Sequence, residues 1–430
     1  MQTLSLLKPV LFVGLLVCNV FHCHSFDQED KPNIWVYSDL SDPSVTTNTG
    51  HPINDPDDIV SLAALLLNAD RFNIINIVVG STNRGAQNNP LPFLKETFIS
   101  AYNHDATLFR QGGLDFPTHV PFTWSSLTQG ANPISFNIDN DYRTLDNFPS
   151  VSALAKYASD QPVTVLNWGP LTETAILLNH LIATRNIDAL NNLRIVSHWT
   201  TSFHHQGSID HPHNVANCLD DLNACRYVKD VAKRHGIRFY ELGSSGQSGL
   251  VNASKNTIRE PYFEHSRLGQ LFNRAKFYFG KQDQSDGATF WILLNETHSI
   301  EPIDLSLDDA VLFNHFTPNS EANLIARFKE VSASVMLSLN ERARLIADSS
   351  ANTPFTQQQI ANWFTYAYKK NGKVEIVAPY KKMQFSIWSE SNELITSGTL
   401  LRGNQYIDID TDSAITVKIT MGQWQKSFSL

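Results

Sequence analysis

The sequence predicts an α/β fold, a mostly parallel open sheet with helices on both faces, followed by a small C-terminal antiparallel β-sandwich-type module. Three observations point to it. Near-continuous apolar strands alternate with segments of helical periodicity, the order of βαβ units in a parallel sheet. Each of those strands ends in polar residues or glycine, as a shared rim at the strands' carboxyl ends requires. Beyond Gly372 the pattern changes to period-two alternation broken by turn residues, the mark of half-buried antiparallel strands.

The first strand is Asn33-Ile34-Trp35-Val36-Tyr37, with Asp39 just past its end. A loop then reaches Asn54-Asp55-Pro56-Asp57-Asp58, and Ile59, Leu62, Ala63, Leu66 and Leu67 follow at helical spacing. Asp55 suits the N-cap, Pro56 the first helical position, and Asp57 and Asp58 the first turn. Three carboxylates in four residues repel one another, and such crowding is tolerated where a cation or a helix N-terminus offsets it. Capping alone is the plainer reading, but caps use one or two acids and need none at the preceding strand end.

Phe72 to Val79 forms the second strand and ends in Gly80-Ser81-Thr82-Asn83. The stretch from Asn83 to Val163 is rich in Asn, Pro, Gly and aromatics, with helical pieces around Pro92 to Ala101 and Pro149 to Ala158. It reads as insertions over the sheet's rim. Val163 to Leu166 is a strand that runs into Asn167-Trp168-Gly169-Pro170-Leu171-Thr172 and a helix from Glu173 to Ala183. Leu193 to Val196 is the next, followed by a loop holding His198, His204, His205, His211 and His213. These histidines fit either a zinc site or a polar pocket rim. Trp168 and Trp199 at strand tips suit ring stacking or core packing equally. Ile237 to Leu242 is a further strand. A helix is expected from about Phe355 to Lys370, ending at Asn371-Gly372, and then strands at Val374–Val377, Met383–Trp388, Tyr406–Ile409 and Ile415–Ile419. The expected domains are 31–370 and 373–430.

Residues 1–25 read as a signal peptide: Lys8 precedes a short apolar run from Val10 to Val17, and polar residues follow from His22 to Ser25. No later apolar run is long enough to span a bilayer. The expected location is therefore secreted or extracellular, or periplasmic in a bacterium, with no membrane attachment after cleavage. The net charge of -9 argues against a nucleic-acid partner. Of the four cysteines, Cys18 and Cys23 leave with the signal. Cys218 and Cys225 remain, and their spacing leaves a disulfide and a pair of buried thiols both open. Asn252-Ala253-Ser254 and Asn295-Glu296-Thr297 match glycosylation acceptors at Asn252 and Asn295.

Four of these segments, taken in order, resemble the inosine–uridine nucleoside hydrolase superfamily, in a divergent secreted branch with a C-terminal β module. They are the acidic loop from Asp39 to Asp57-Asp58, the Asn167–Glu173 turn, His213-Asn214-Val215-Ala216-Asn217-Cys218-Leu219-Asp220-Asp221, and Ser285-Asp286-Gly287-Ala288. The resemblance implies bound calcium, with Asp39, Asp58, the Trp168 carbonyl and Asp286 as ligands, an oxygen set that suits this ion. Asp42 is the alternative to Asp39. It implies Asp57 as general base for a water that the metal activates. Asn217 and Asn83 would hold sugar hydroxyls, with Ser81 the alternative to Asn83, against an oxocarbenium-like transition state. Two positions depart from the family: Ser285 stands where a histidine assists the leaving group, and Val215 where a glutamate contacts the sugar. The expected activity is calcium-dependent hydrolysis of N-glycosidic bonds in nucleosides or related ribosides. The alternative is a catalytically weak protein that binds a carbohydrate or nucleoside. A small-molecule riboside or sugar is the expected partner, and a homo-oligomer is left open.

Overall fold

Ile34 and Val36 point into one apolar core, and Trp35 and Tyr37 into another. That is the period-two signature of a strand buried on both faces, and it sets the architecture of the computed structural model. The structure describes residues 31–46, 52–53, 56–204, 215–254, 261–294, 310–370, 372–409, 411 and 413–430. The segment 1–25, Cys18 and Cys23, Asn54, Asp55, His205, His211, His213 and Asn295 lie outside them.

Six strands run parallel: β1 (Asn33–Tyr37), β2 (Asn73–Val79), β3 (Phe122–Trp124), β4 (Val163–Asn167), β5 (Leu193–Ser197) and β6 (Arg238–Glu241). Their spatial order is β3-β2-β1-β4-β5-β6, and the short antiparallel strand Val311–Leu312 closes the far edge. The mostly parallel open sheet is thus as expected. β3 was not foreseen, because Phe-Thr-Trp is too short for its periodicity to register.

Helices cover both faces. The first core gathers α1 (Asp57–Leu67), the helices Leu91–Leu94, Ser100–Gln111 and Arg267–Arg274, and the long helix Pro318–Ala347. The second gathers Pro149–Asp160, Thr172–Ala183 and Leu222–His235. Arg342 of the long helix is 2% exposed; it pairs with Asp70 at 2.7 Å and donates to the Leu67 carbonyl at 2.9 Å. It thereby satisfies an orphan carbonyl at the end of α1. Among the described residues no helix is long and apolar enough to cross a membrane.

The chain order reverses between β1 and β4. This topological switch point is where open α/β sheets bind ligands.

The helix expected to reach Lys370 stops at Phe364. Thr356 and Gln359 form its capping box, and after Thr365 the segment Tyr366–Lys370 is a strand. It pairs antiparallel with Lys373–Ala378, which pairs with Gly403–Asp408. A second sheet has the order Leu394–Thr399, Gln384–Ser389, Ile415–Met421, Trp424–Ser429. Val374 and Ile376 from one sheet, and Ile387, Val417 and Ile419 from the other, join the first core. Trp424 Nε1 donates to Asn362 Oδ1 at 2.6 Å, and Arg274 Nη1 to the Pro379 carbonyl at 3.0 Å, so polar contacts also tie these sheets to the helices.

Cys218 and Cys225 are joined as a disulfide, and both are fully buried. The bridge links the one-turn helix Ala216–Leu219 to Leu222–His235. Closing so short a loop, seven residues in sequence, stabilises by roughly 2–3 kcal/mol. The double variant Cys218→Ala/Cys225→Ala is therefore expected to lower the unfolding free energy by about that amount in a urea titration, and the midpoint in proportion. An unchanged midpoint would show that the bridge constrains nothing.

Candidate metal and substrate site

Past the end of β1 the chain stays tied to β2. Ser38 N donates to the Val78 carbonyl, and Gly80 N to the Leu40 carbonyl, both at 2.9 Å. This holds Asp39, 1% exposed, at the switch point. On its other side Trp168 N donates to the Tyr37 carbonyl at 2.9 Å. Gly169 permits the close approach: a Cβ there would lie 2.9 Å from Asp39 Cβ and 3.1 Å from the Ser81 carbonyl oxygen.

α1 begins at Asp57, one residue later than expected. Pro56 occupies the capping position, and no side chain caps the helix through it. Asp57 Oδ1 accepts from Asp58 N at 3.2 Å. Asp58 is fully buried and its Oδ2 accepts from Ser38 Oγ at 2.5 Å. Asp286, 2% exposed, sits on the turn before the helix Ala288–Trp291. That turn is tied to α1 through Gly287 N and Ser61 Oγ, 3.1 Å, and to Trp168 through Thr289. Thr289 Oγ1 accepts from Trp168 Nε1 at 2.6 Å and donates to the Asp286 carbonyl at 2.7 Å.

Asp57, Asp58 and Asp286 each bring one carboxylate oxygen within 4.8 Å of the others. Burial pushes the Asp286 carboxyl well above its ordinary value. The charges of Asp58, Asp57 and Asp39, and a hydrogen bond with Asp58, push it further. Repulsion of this kind is what a divalent cation relieves, and the donors are all hard oxygens. On that test the residues fit calcium.

A cavity of ≈ 270 Å³ opens over the group, lined among others by Asp39, Asp57, Arg84, Trp168, His198, Trp199, Asn217, Gln247, Tyr278, Ser285 and Asp286. Asp58 is not among the residues that line it. Asn217 Nδ2 donates to the Trp168 carbonyl at 3.1 Å and to the His198 carbonyl at 3.0 Å. Ser285 Oγ donates to Asp57 Oδ2 at 3.1 Å and Asp283 Oδ1 at 3.2 Å. Asp42 is not at the cavity; its Oδ1 accepts from Ser44 N at 2.8 Å. Of the two candidates for the first ligand, Asp39 is the one the fold brings to the site.

Other expected residues lie elsewhere. Asn83 Nδ2 donates to Ser135 Oγ at 2.9 Å, and the next residue, Arg84, lines the cavity instead. Its Nη2 faces Asp39 Oδ2 at 3.6 Å and its Nε pairs with Asp220 at 2.5 Å. His204 Nε2 hydrogen-bonds the Pro318 carbonyl at 2.8 Å. Among the described residues no histidine joins a metal-binding group. Asn252 is exposed, while Ser254 of its acceptor motif is buried and donates to the Val251 carbonyl at 2.7 Å.

Glu173 lies fully buried at the sheet rim, accepting from Ser81 Oγ, and from Ser125 Oγ at 2.7 Å. Ser81 is thereby committed to Glu173. Burial pushes its carboxyl up to about 7 from an ordinary 4.5, against the lowering effect of its serine partners. The folded chain thus keeps a proton that the unfolded chain releases between those values, so stability falls as pH rises across that window. Glu173→Gln is expected to remove this part of the fall. Melting curves at pH 4 and pH 8 check it: the difference in Tm between the two should shrink in the variant, and an equal difference contradicts the assignment.

No protein-family model matches the chain, and no curated protein matches it. Solved structures similar to it include the effector protein XOO4466, at 12% identity and a TM-score of 0.38, and the type III effector protein XopQ complexed with adenosine diphosphate ribose, at 13% and 0.36. Each match covers 71% of this chain and 95% of the other.

Proposed function

We propose that this chain is a calcium-dependent hydrolase of N-glycosidic bonds in nucleosides or related ribosides. The observation that carries the reading is the group Asp57, Asp58 and Asp286 at the switch point of a parallel sheet. Helix capping does not explain the group, since no side chain caps α1 at Pro56 and Asp286 belongs to a separate turn, and two of the three carboxylates are fully or almost fully buried. Asp58, Asp286, Asp39 and the Trp168 carbonyl would hold the ion. Bound there, calcium would lower the pKa of water and grip sugar hydroxyls.

The chain's own residues do the rest. Asp57 is the partly exposed member of the trio, and it takes the proton of the attacking water. Ser285 donates to its Oδ2 and Asp58 N to its Oδ1, which fixes the carboxylate in place while each oxygen keeps a further lone pair for that task. Asn217 spends its amide nitrogen on two carbonyls, which presents its amide oxygen to a ribose hydroxyl. The buried carboxylates favour a sugar that gains positive charge in the transition state. Ser285 is far too weak an acid to protonate a departing base, so most of the rate comes from stabilising that cation. The Cys218–Cys225 disulfide fits an oxidising compartment and supports entry into the secretory path.

The test is ribose release by the purified mature chain from a panel of purine and pyrimidine nucleosides, set against hexopyranosides. Release confined to ribosides supports the reading; release confined to hexopyranosides overturns it. A binding protein on the same fold is the second reading. It is favoured by Arg84, which already places a cation of the chain's own beside Asp39. Calcium-dependent riboside binding with no ribose released would establish it.

A further inference from the structure

We propose that His198 reads the leaving group: its imidazole hydrogen-bonds the polar edge of a heterocyclic aglycone. The inference rests on the riboside reading above and names what another residue lining the same cavity selects.

His198 follows β5 directly and is 3% exposed, yet it lines the cavity. Its Nδ1 is buried and has no hydrogen-bond partner among the described residues. A buried polar nitrogen left unpaired costs about 1–3 kcal/mol, so native structures leave few of them without a reason. A ligand that supplies the partner recovers that cost.

The residue is fixed in place without being satisfied. His198 N donates to the Asn167 carbonyl at 3.2 Å, and its own carbonyl accepts from Asn217 at 3.0 Å. Gly246 packs against the ring so closely that a Cβ there would stand 2.9 Å from His198 Cε1. The Trp199 ring centroid lies 5.6 Å from that of His198. Trp199 itself has φ 61, a left-handed conformation that a bulky side chain adopts at a cost. Backbone strain at this strand tip therefore coincides with the unsatisfied ring.

Burial pushes the imidazole down to about 3, so it is neutral near pH 7. A neutral imidazole offers one donor and one acceptor. It can pair with the N–H or the ring nitrogen of a heterocycle, whereas a p-nitrophenyl ring has no ring donor or acceptor and offers only weakly accepting nitro oxygens at its far end. It does not serve as a proton reservoir, which separates this role from general acid catalysis.

The experiment compares kcat/KM for inosine and for p-nitrophenyl riboside in the full mature chain and in His198→Leu. The expected result is that the variant loses roughly 10- to 100-fold more on inosine than on the aryl riboside. His198→Gln, which keeps a donor and an acceptor, should recover part of the difference. Equal losses on both substrates, or no loss on inosine, overturn the proposal. His198→Phe replaces a leucine variant that does not fold. If the wild type cleaves neither substrate, the failure is that of the riboside reading. Calorimetry with inosine and calcium then decides for His198: weaker binding by His198→Leu upholds its role, and unchanged binding ends it.

Discussion

Asp57→Asn is expected to retain calcium and riboside while kcat falls by roughly 10²- to 10⁴-fold, the worth of a general base. The amide matches the carboxylate in size, and its one oxygen can still accept from Asp58 N across the first turn of α1, while its nitrogen donates to Ser285 Oγ, whose proton turns to Asp283 Oδ1. What disappears is the ability to take a proton. Because binding and folding are left in place, the loss should fall on kcat and not on KM. A variant within a few-fold of wild-type kcat would reduce Asp57 to a helix-start carboxylate.

Asp58→Ala is expected to abolish calcium binding. Asp58 is fully buried and accepts from Ser38 Oγ; one of its oxygens lies within 4.8 Å of an oxygen of Asp57 and of Asp286. Removing it takes one formal charge and one of the converging donors from a site whose affinity for a hard cation depends on charge count. In calcium-free solution the same change relieves Asp286 of the largest charge acting on it, so the apo protein should keep its fold. Calorimetry reads the outcome. Equal calcium affinity in variant and wild type would mean that the three carboxylates are not the metal site.

Much of this was legible in the sequence because parallel strands buried on both faces leave near-continuous apolar runs. β1, β2, β4 and β5 show as such runs; β6, with Arg238 and Glu241 at its ends, shows mainly by Phe239 and Tyr240 between Ile237 and Leu242. β3 did not, being a three-residue strand held by its neighbour more than by its own pattern. Tyr366–Lys370 read as the end of a helix because the preceding residues are helical and two lysines blur the alternation. Its partners, with Tyr366 and Tyr368 buried on one side, decide the matter only in three dimensions. Leu394–Thr399 also escaped notice: it is an edge strand whose residues are half or fully exposed, so no apolar face marks it.

The site divides in the same way. Asp39, Asp57, Asp58, Trp168, Asn217 and Asp286 sit where strand tips and a helix start must converge, and charge crowding flags the first of them. Arg84 was passed over for Asn83 because direction at a loop residue is set by what it packs against, here Ser135 and Asp220. Gln247 and Tyr278 reach the cavity from a π-helical turn and a short hairpin, and no spacing rule announces either. His198 was one histidine among five in its loop. What singles it out is an unsatisfied buried nitrogen, which only the packing reveals.

The central claim, that a cation held by Asp58 and Asp286 powers riboside hydrolysis with Asp57 as base, is tested most directly by one titration. The mature chain is stripped with a calcium chelator, and ribose release from inosine or p-nitrophenyl riboside is followed as calcium is returned. The account predicts no release from the stripped protein and full recovery on saturation. Release that continues undiminished in excess chelator would contradict it.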